Sequence, residues 1–505
     1  MADHLPKASA TCASSLETGR RPAKDFSSRS PTSPSAHVSA QDRIDSNQHT
    51  LVKYLTSGQL PRNAMNSGDG QTATYRIVTI NGGRGACRLI RKFLDSGHNV
   101  TSIVNAYDDG RSTAELRRAF GILGPSDVAK TAIAMADPRI ERIGALISVL
   151  EFRFPVDIDD QTLHEQLQEF AVTCRPPFWF DTLSRYLERY DLPPQLMDCI
   201  QAFIKHEKAN PRGPVQLKDM AFRNLVLVGA FLSSDRSWRK AISVFCDIVG
   251  ARGRIVLASE DNRWLVGVRE DRSVERNEAE ISEKSGARLE HLYSLRVPHA
   301  RLSDYWSAVR QHVGVLRSLP RQYLVGVLAR TWLYRLLDSR PRATTAAIDE
   351  LLRAEFIVYC PGTLYSSILP TLMCQGIPKA MARSRARKVL LLPLAKDRDM
   401  ENLDDLDVVK TILKYLGARD PCEYAKYIDV VLADSGQWAL NDVRPDFSEI
   451  ERAGIVVMFG SIRDEETPTL HDPAAVEHEI LEAHHLPRRS LNVERPERPS
   501  AKIRR

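Results

Sequence analysis

Beyond residue 70 the chain alternates short apolar runs with amphipathic stretches. Tyr75 to Ile80 is a short apolar run that meets Asn81-Gly82-Gly83-Arg84-Gly85, and a helical pattern follows with Leu89, Ile90, Phe93 and Leu94 on one face. Gly97 is expected to stop that helix. A second strand, Val100 to Val104, leads into Asp108-Asp109-Gly110-Arg111, and the next segment opens Ser112-Thr113-Ala114-Glu115, which reads as a capping box. Later apolar runs at 254–258, 264–268, 356–360, 388–394, 427–433 and 454–459 lie between helical patterns. That alternation predicts an α/β fold, a Rossmann-like, mostly parallel sheet with helices on both faces. Two stretches, about 157–208 and 299–340, have helical periodicity and few strand signals, and are expected to be helical insertions.

Composition narrows the setting. Residues 1–70 are rich in Ser, Thr, Pro and Asn and bury too little apolar surface to fold alone, so a disordered polar arm is expected there. One domain is expected over 71–485, with a basic tail at 486–505. Apolar residues make up 43% of the chain and charged ones 27%, while apolar stretches such as Leu225 to Leu232 fall far short of a membrane span. Neither a membrane nor a nucleic acid is an expected partner, since the formal charge of +6 is small and scattered. The eight cysteines form no CxxC pair, and several sit inside apolar runs, as buried thiols do in a reducing compartment. Asp3 and His4 stand where a secretory signal carries basic residues. A cytoplasmic location is expected.

The chemistry should gather at the strand ends. Gly82-Gly83-Arg84-Gly85 follows a strand and opens a helix, where backbone N–H groups and the helix dipole hold a phosphate. Asp108 and Asp109 lie about 20 residues on, where Rossmann proteins place a carboxylate on a ribose hydroxyl. The first two strands would aim Gly83, Asp109, Gly110 and Ser112 at one crevice, with Ser112 opening a second anion site. Asp127 and Lys130 follow Gly124-Pro125-Ser126 at a third helix entry, where spacing alone suggests a helix cap and a surface charge. Cys360-Pro361-Gly362-Thr363-Leu364-Tyr365-Ser366-Ser367 repeats the strand-loop-helix arrangement, and is a further candidate anion site.

Taken together, TINGGRGACRLI, VNAYDDGRSTAELRRAFGILGPSDVAK, NLVLVGA, YCPGTLYSSILPTLMCQGIPKAM, YIDVVLADSG and LHDPAAVEHEIL resemble, in order and spacing, the signature segments of the superfamily of 2-phospho-L-lactate transferases (CofD) and gluconeogenesis factors (YvcK). The motifs are more similar to the YvcK-like branch. The resemblance implies a Rossmann-like domain that binds a nucleoside diphosphate carrying a small phosphorylated or sugar group, of GDP or UDP type. It places Gly82, Gly83, Arg84 and Gly85 on the phosphate loop, Asp108, Asp109 and Gly110 on the acidic turn, and Asp127 on a Pro-Gly-Asp position. Asn224 falls on a Gly-Asn helix start, and Gly362, Thr363 and Tyr365 on the second glycine loop.

CofD-type relatives are transferases that use a divalent metal, whereas YvcK-like proteins bind UDP-sugars without an established reaction. The expected function is therefore a transferase that moves a phospho-linked group to an acceptor hydroxyl; the alternative is a non-catalytic UDP-sugar-binding regulator of carbon metabolism and cell wall. Asp108, Asp109 and Asp127 are the expected catalytic residues, Asp109 the expected ligand of Mg2+, and a homodimer an expected assembly. Arg111 stands where YvcK-like proteins usually have Gly, and Lys130 follows Asp127 where they usually have Arg-Asn; two such cations suit an extra phosphate or carboxylate, the alternative being that they pair with Asp109 and Asp127. Leu392-Pro393-Leu394-Ala395-Lys396 lacks an expected Asn-x-Met-Thr-Gln motif, leaving Glu401 and Asp407 for the acidic positions after it.

Overall fold

A computed structural model describes residues 73–82, 85–296, 298, 338–436 and 445–487. The arm at 1–70, nearly all of the 299–340 insertion and most of the 486–505 tail lie outside the described residues, as do Gly83 and Arg84.

The chain runs β1 (Arg76–Asn81), α1 (Cys87–Asp95), β2 (Asn99–Val104), α2 (Arg111–Phe120) and α3 (Ser126–Met135). A helical passage follows, α4 (Glu141–Glu151), α5 (Asp160–Thr173), α6 (Asp181–Leu187), α7 (Pro194–Lys208), α8 (Phe222–Ser233) and α9 (Trp238–Val249). Then come β3 (Arg254–Leu257), β4 (Trp264–Arg269), β5 (Val274–Glu275), α10 (Glu278–Glu283) and β6 (Leu289–Leu295). The last part holds α11 (Thr345–Arg353), β7 (Phe356–Tyr359), a π-turn at Leu364–Ile368, β8 (Arg387–Leu391), α12 (Asp405–Leu416), β9 (Val430–Asp434), β10 (Val456–Gly460) and α13 (Pro473–Glu482), besides short helices left unlabelled.

Seven strands form one parallel sheet in the order β10-β9-β8-β7-β1-β2-β3. Its strands read as nearly continuous apolar runs because both faces are covered. Val78, Ile80, Ile357 and Tyr359 turn into a core with the α2, α3, α8 and α9 side, while Ile77, Phe356 and Val358 turn into a second core with α1 and α13. Buried polar strand residues are bonded: Thr79 Oγ1 lies 2.7 Å from Ser102 Oγ, and Asn81 Nδ2 donates to Thr131 Oγ1 at 3.3 Å. Gly97, with φ of +82°, follows α1 as expected, since the left-handed region that ends the helix favours glycine.

Two expectations need correction. Trp264–Val268 does not join the parallel sheet; β4 pairs antiparallel with β5 and β6 in a separate three-stranded sheet. The reason is connection length. The short link from β3 to β4 cannot hold the crossover that parallel neighbours need, and the tight turn through Arg272, at φ +69°, makes β4 and β5 a hairpin. The Ser112–Glu115 capping box is also absent. Gly110 is the N-cap of α2, and Asp108 occupies the helix entry instead, while Glu115 is bonded to Arg118 and to the Gln216 N–H.

Candidate functional site

The chain leaves β1 towards β2 on one side and β7 towards β8 on the other, so the order reverses between these two neighbours. Such a switch point opens a crevice beyond the carboxyl ends of the strands. Here the two glycine loops meet. A Cβ on Gly85 would stand 2.5 Å from the Pro361 carbonyl oxygen, one on Gly362 3.0 Å from the Gly82 oxygen, and one on Gly82 2.7 Å from Ser367 Oγ. The glycines are therefore required by loop-to-loop contact as well as by any anion. Thr363 Oγ1 and Ser367 Oγ are 2.7 Å apart in the π-turn, and Ser366 Oγ donates to Thr363 Oγ1 at 2.5 Å.

Charged groups crowd the same edge. Asp108 accepts from the Gly110 N–H at 2.9 Å and from Thr113 Oγ1 at 3.4 Å, which sets the entry to α2. Asp127, in the first turn of α3, accepts from Lys130 Nζ at 3.0 Å. Burial pushes the Asp127 carboxyl up while Lys130 pulls it back. Burial also works against the Lys130 charge, but Asp127 and Asp108 more than offset it and its pKa rises. The spacing-based reading of Lys130 as a surface charge is thus replaced by a largely buried ion pair. Arg223, bonded to Glu151 at 2.7 Å, adds a cation felt by Asp127. Beside it Asn224 is buried, with an Oδ1 that has no hydrogen-bond partner among the described residues.

Asp109, the expected metal ligand, is buried and held largely by the fold. Its Oδ1 accepts from the Glu278 and Ala279 N–H groups at 2.8 and 3.3 Å, and its Oδ2 faces Arg117 at 3.9 Å. Burial lifts its pKa to about 6, against the pull of Arg117. Arg117 is itself fully buried, donates to the carbonyls of Tyr107 and Arg263 and to Asn262 Oδ1, and lies 3.9 Å over the Trp264 ring. The pair is a strut between the β2 loop and the antiparallel sheet. Tyr365 is likewise tied into the fold, its hydroxyl donating to the Leu289 carbonyl at 2.8 Å. Ser112 lies in the first turn of α2, whose first residue is Arg111; the Arg111 side chain lies outside what is described.

The family model described as 2-phospho-L-lactate transferase CofD matches residues 77–462, the span that builds this sheet and this edge. This chain belongs to the CofD family. It is similar to a putative gluconeogenesis factor of Aquifex aeolicus, 22% identical over 80% of this chain and 95% of that one. The gluconeogenesis factor of Listeria innocua is 20% identical over 68% of this chain and 74% of its own length. A Bacillus halodurans protein of the UPF0052 family, solved by crystallography, shares the fold at a TM-score of 0.53 and 18% identity, covering 81% of this chain and 99% of that one.

Two residues of this CofD-family edge escaped sequence reasoning. Glu278 opens α10, and burial followed by Asp108, Asp127 and Asp109 raises its pKa well above the usual carboxylate range. Its N–H is bound by Asp109, a residue 169 positions away, so no local spacing could have pointed to it. Asp399 is buried, accepts from the Tyr365 N–H at 2.8 Å and is pushed by burial to about 7. Glu401 is exposed, and Asp407 caps α12 in a box with Asp404. Among the described residues no three His, Cys, Asp or Glu converge as a metal cage, and no helix is long and apolar enough to cross a membrane.

Proposed function

We propose that this chain binds a nucleoside-diphosphate-linked small molecule at the β1/β7 crevice and transfers its phospho-linked group to an acceptor hydroxyl. The observation that carries the reading is the meeting of two glycine loops at the switch point beneath a mouth crowded with Asp108, Asp127, Glu278 and Lys130. Backbone N–H groups about Gly82, Gly85 and Gly362 hold phosphates, and Lys130 neutralises charge on them. Asn224 turns its unpartnered amide oxygen to a ligand donor.

In this reading the acceptor oxygen forms a new P–O bond as the diphosphate P–O bond breaks. The nucleoside monophosphate leaves, and the acceptor proton passes to Asp108. Such a reaction rests mainly on positioning and charge stabilisation. Asp109 acts as a positioning residue through α10 and Arg117. A magnesium ion commonly takes one or two carboxylates plus the ligand's own phosphates, and this mouth offers Glu278 for such a part although no three-carboxylate cage forms among the described residues. Glu278 would hold it, while Asp108 takes the acceptor proton. When bound, it would withdraw charge from the transferring phosphoryl group.

The test is donor consumption with Mg2+, GDP- or UDP-linked donors and hydroxyl acceptors, followed by chromatography. Asp108→Asn should retain donor binding and lose turnover. A wild-type chain that binds a donor tightly but consumes none with any acceptor would be a UDP-sugar-type binding protein instead.

A further inference from the structure

The opposite edge of the sheet, where β1, β2 and β3 begin, holds a cavity of about 140 Å³ that is no part of the crevice described above. Arg76, Arg254 and Arg353 stand around it, with Glu350, Thr101 and Asn99 as the polar walls. Among the described residues Glu350 is the only carboxylate in the lining, and both its oxygens are used. One accepts from Arg254, the other from Thr101 Oγ1 at 3.3 Å. Arg76 leans on Glu355, outside the cavity, at 3.7 Å. The Arg353 side chain has no hydrogen bond or ion pair among the described residues.

Arginines from three elements thus line one small volume, with Glu350 inside it and Glu355 pairing Arg76 outside it. A surface arginine needs no special reason, and Arg353 alone could simply complement the C-terminal end of α11. That does not account for arginines from three elements, β1, β3 and α11, lining one cavity. Each guanidinium keeps N–H donors suited to the paired oxygens of a phosphate or carboxylate. The volume holds roughly ten waters, at about 10–15 Å³ of such volume each, which is room for a compact metabolite and too little for a nucleotide.

We infer that this cavity is a second ligand site, for a compact polyanion such as a phosphorylated or polycarboxylic metabolite, separate from the β1/β7 crevice. Arg353 and Arg254 bind its oxygens, and Glu350 sets the affinity by holding Arg254 and by repelling excess negative charge.

Calorimetry of the full chain with inorganic phosphate and with citrate tests the site and distinguishes the two anion chemistries. Saturable binding of at least one of them is expected. Arg353→Glu, a change at an exposed and unpartnered position, should weaken it roughly tenfold or more, since it removes one charge-assisted contact and adds a repulsive charge. Glu350→Gln should leave binding intact or tighten it severalfold, by removing the only negative charge. Far-ultraviolet circular dichroism checks that both variants are folded. No saturable binding in the wild type would overturn the inference. So would affinity in Arg353→Glu equal to the wild type, which would place any anion at the glycine loops.

Discussion

Gly82→Ala puts the meeting of the two glycine loops under direct strain. A Cβ there would stand 2.7 Å from Ser367 Oγ and 3.2 Å from Ser367 Cα, where ordinary contact begins at 3.4 Å. Neither side can yield easily, because Ile80 and Tyr359, just below, are paired in the β1–β7 ladder. Overpacking of this kind typically costs 1–3 kcal/mol, and about 2 kcal/mol is the expected loss here. Ser367→Gly alone should cost about 1 kcal/mol, since it removes a hydroxyl bonded to Thr363 Oγ1. In the double variant only the 3.2 Å approach to Cα remains, so most of the strain vanishes. The double-mutant cycle by urea unfolding should therefore show about 1–2 kcal/mol of favourable coupling. Additivity within about 0.5 kcal/mol would refute the contact, and with it the reason given for glycine at position 82.

Three further outcomes follow from the buried charges. Arg117→Ala strips a fully buried guanidinium from two carbonyls, Asn262 and Asp109, and should cost about 4 kcal/mol or more, visible as a large fall in melting temperature; a loss under about 1 kcal/mol would deny the strut. Lys130→Met leaves Asp127 buried without its cation, and should both destabilise the chain by about 2 kcal/mol and weaken an anionic ligand roughly tenfold, as read by denaturation and calorimetry. Asp399 has a folded pKa of about 7 against an ordinary value of 3.8, so the folded state binds the proton more tightly than the unfolded state does. Its contribution to stability is therefore greatest below about pH 4 and is lost as pH rises to about 7. Asp399→Asn should flatten that slope and exceed wild-type stability above pH 7, by up to about 4 kcal/mol; parallel stability–pH curves would contradict it.

The parts of this molecule that were legible in its sequence are those that depend on local pattern. Strands buried on both faces write themselves as apolar runs, and Gly82, Gly85 and Gly362 stand at strand ends because the fold needs bare backbone there. The antiparallel sheet was not legible as such, since β4 carries the same apolar pattern as a parallel strand and only its short connections distinguish it. Site partners across long separations were invisible too. Arg117 carries no local signal of its own, yet it faces Asp109, and Glu278 reaches the edge only because a hairpin carries it there. Asp108, rather than Ser112, bonds at the entry to α2, and the Tyr365 hydroxyl is bonded to a carbonyl inside the fold, neither of which residue type and position point to.

The central claim is that the β1/β7 crevice holds a nucleoside-diphosphate-linked ligand, and native mass spectrometry of the purified chain, alone and after incubation with GDP and UDP conjugates, tests it most directly. The account predicts a one-to-one complex with at least one such nucleotide in the wild type, and its loss in a folded Gly85→Asp variant, whose side chain would push into Pro361 and carry a negative charge to the phosphate loop. A chain that stays bare with every conjugate, or a Gly85→Asp variant that retains the same complex, would contradict it.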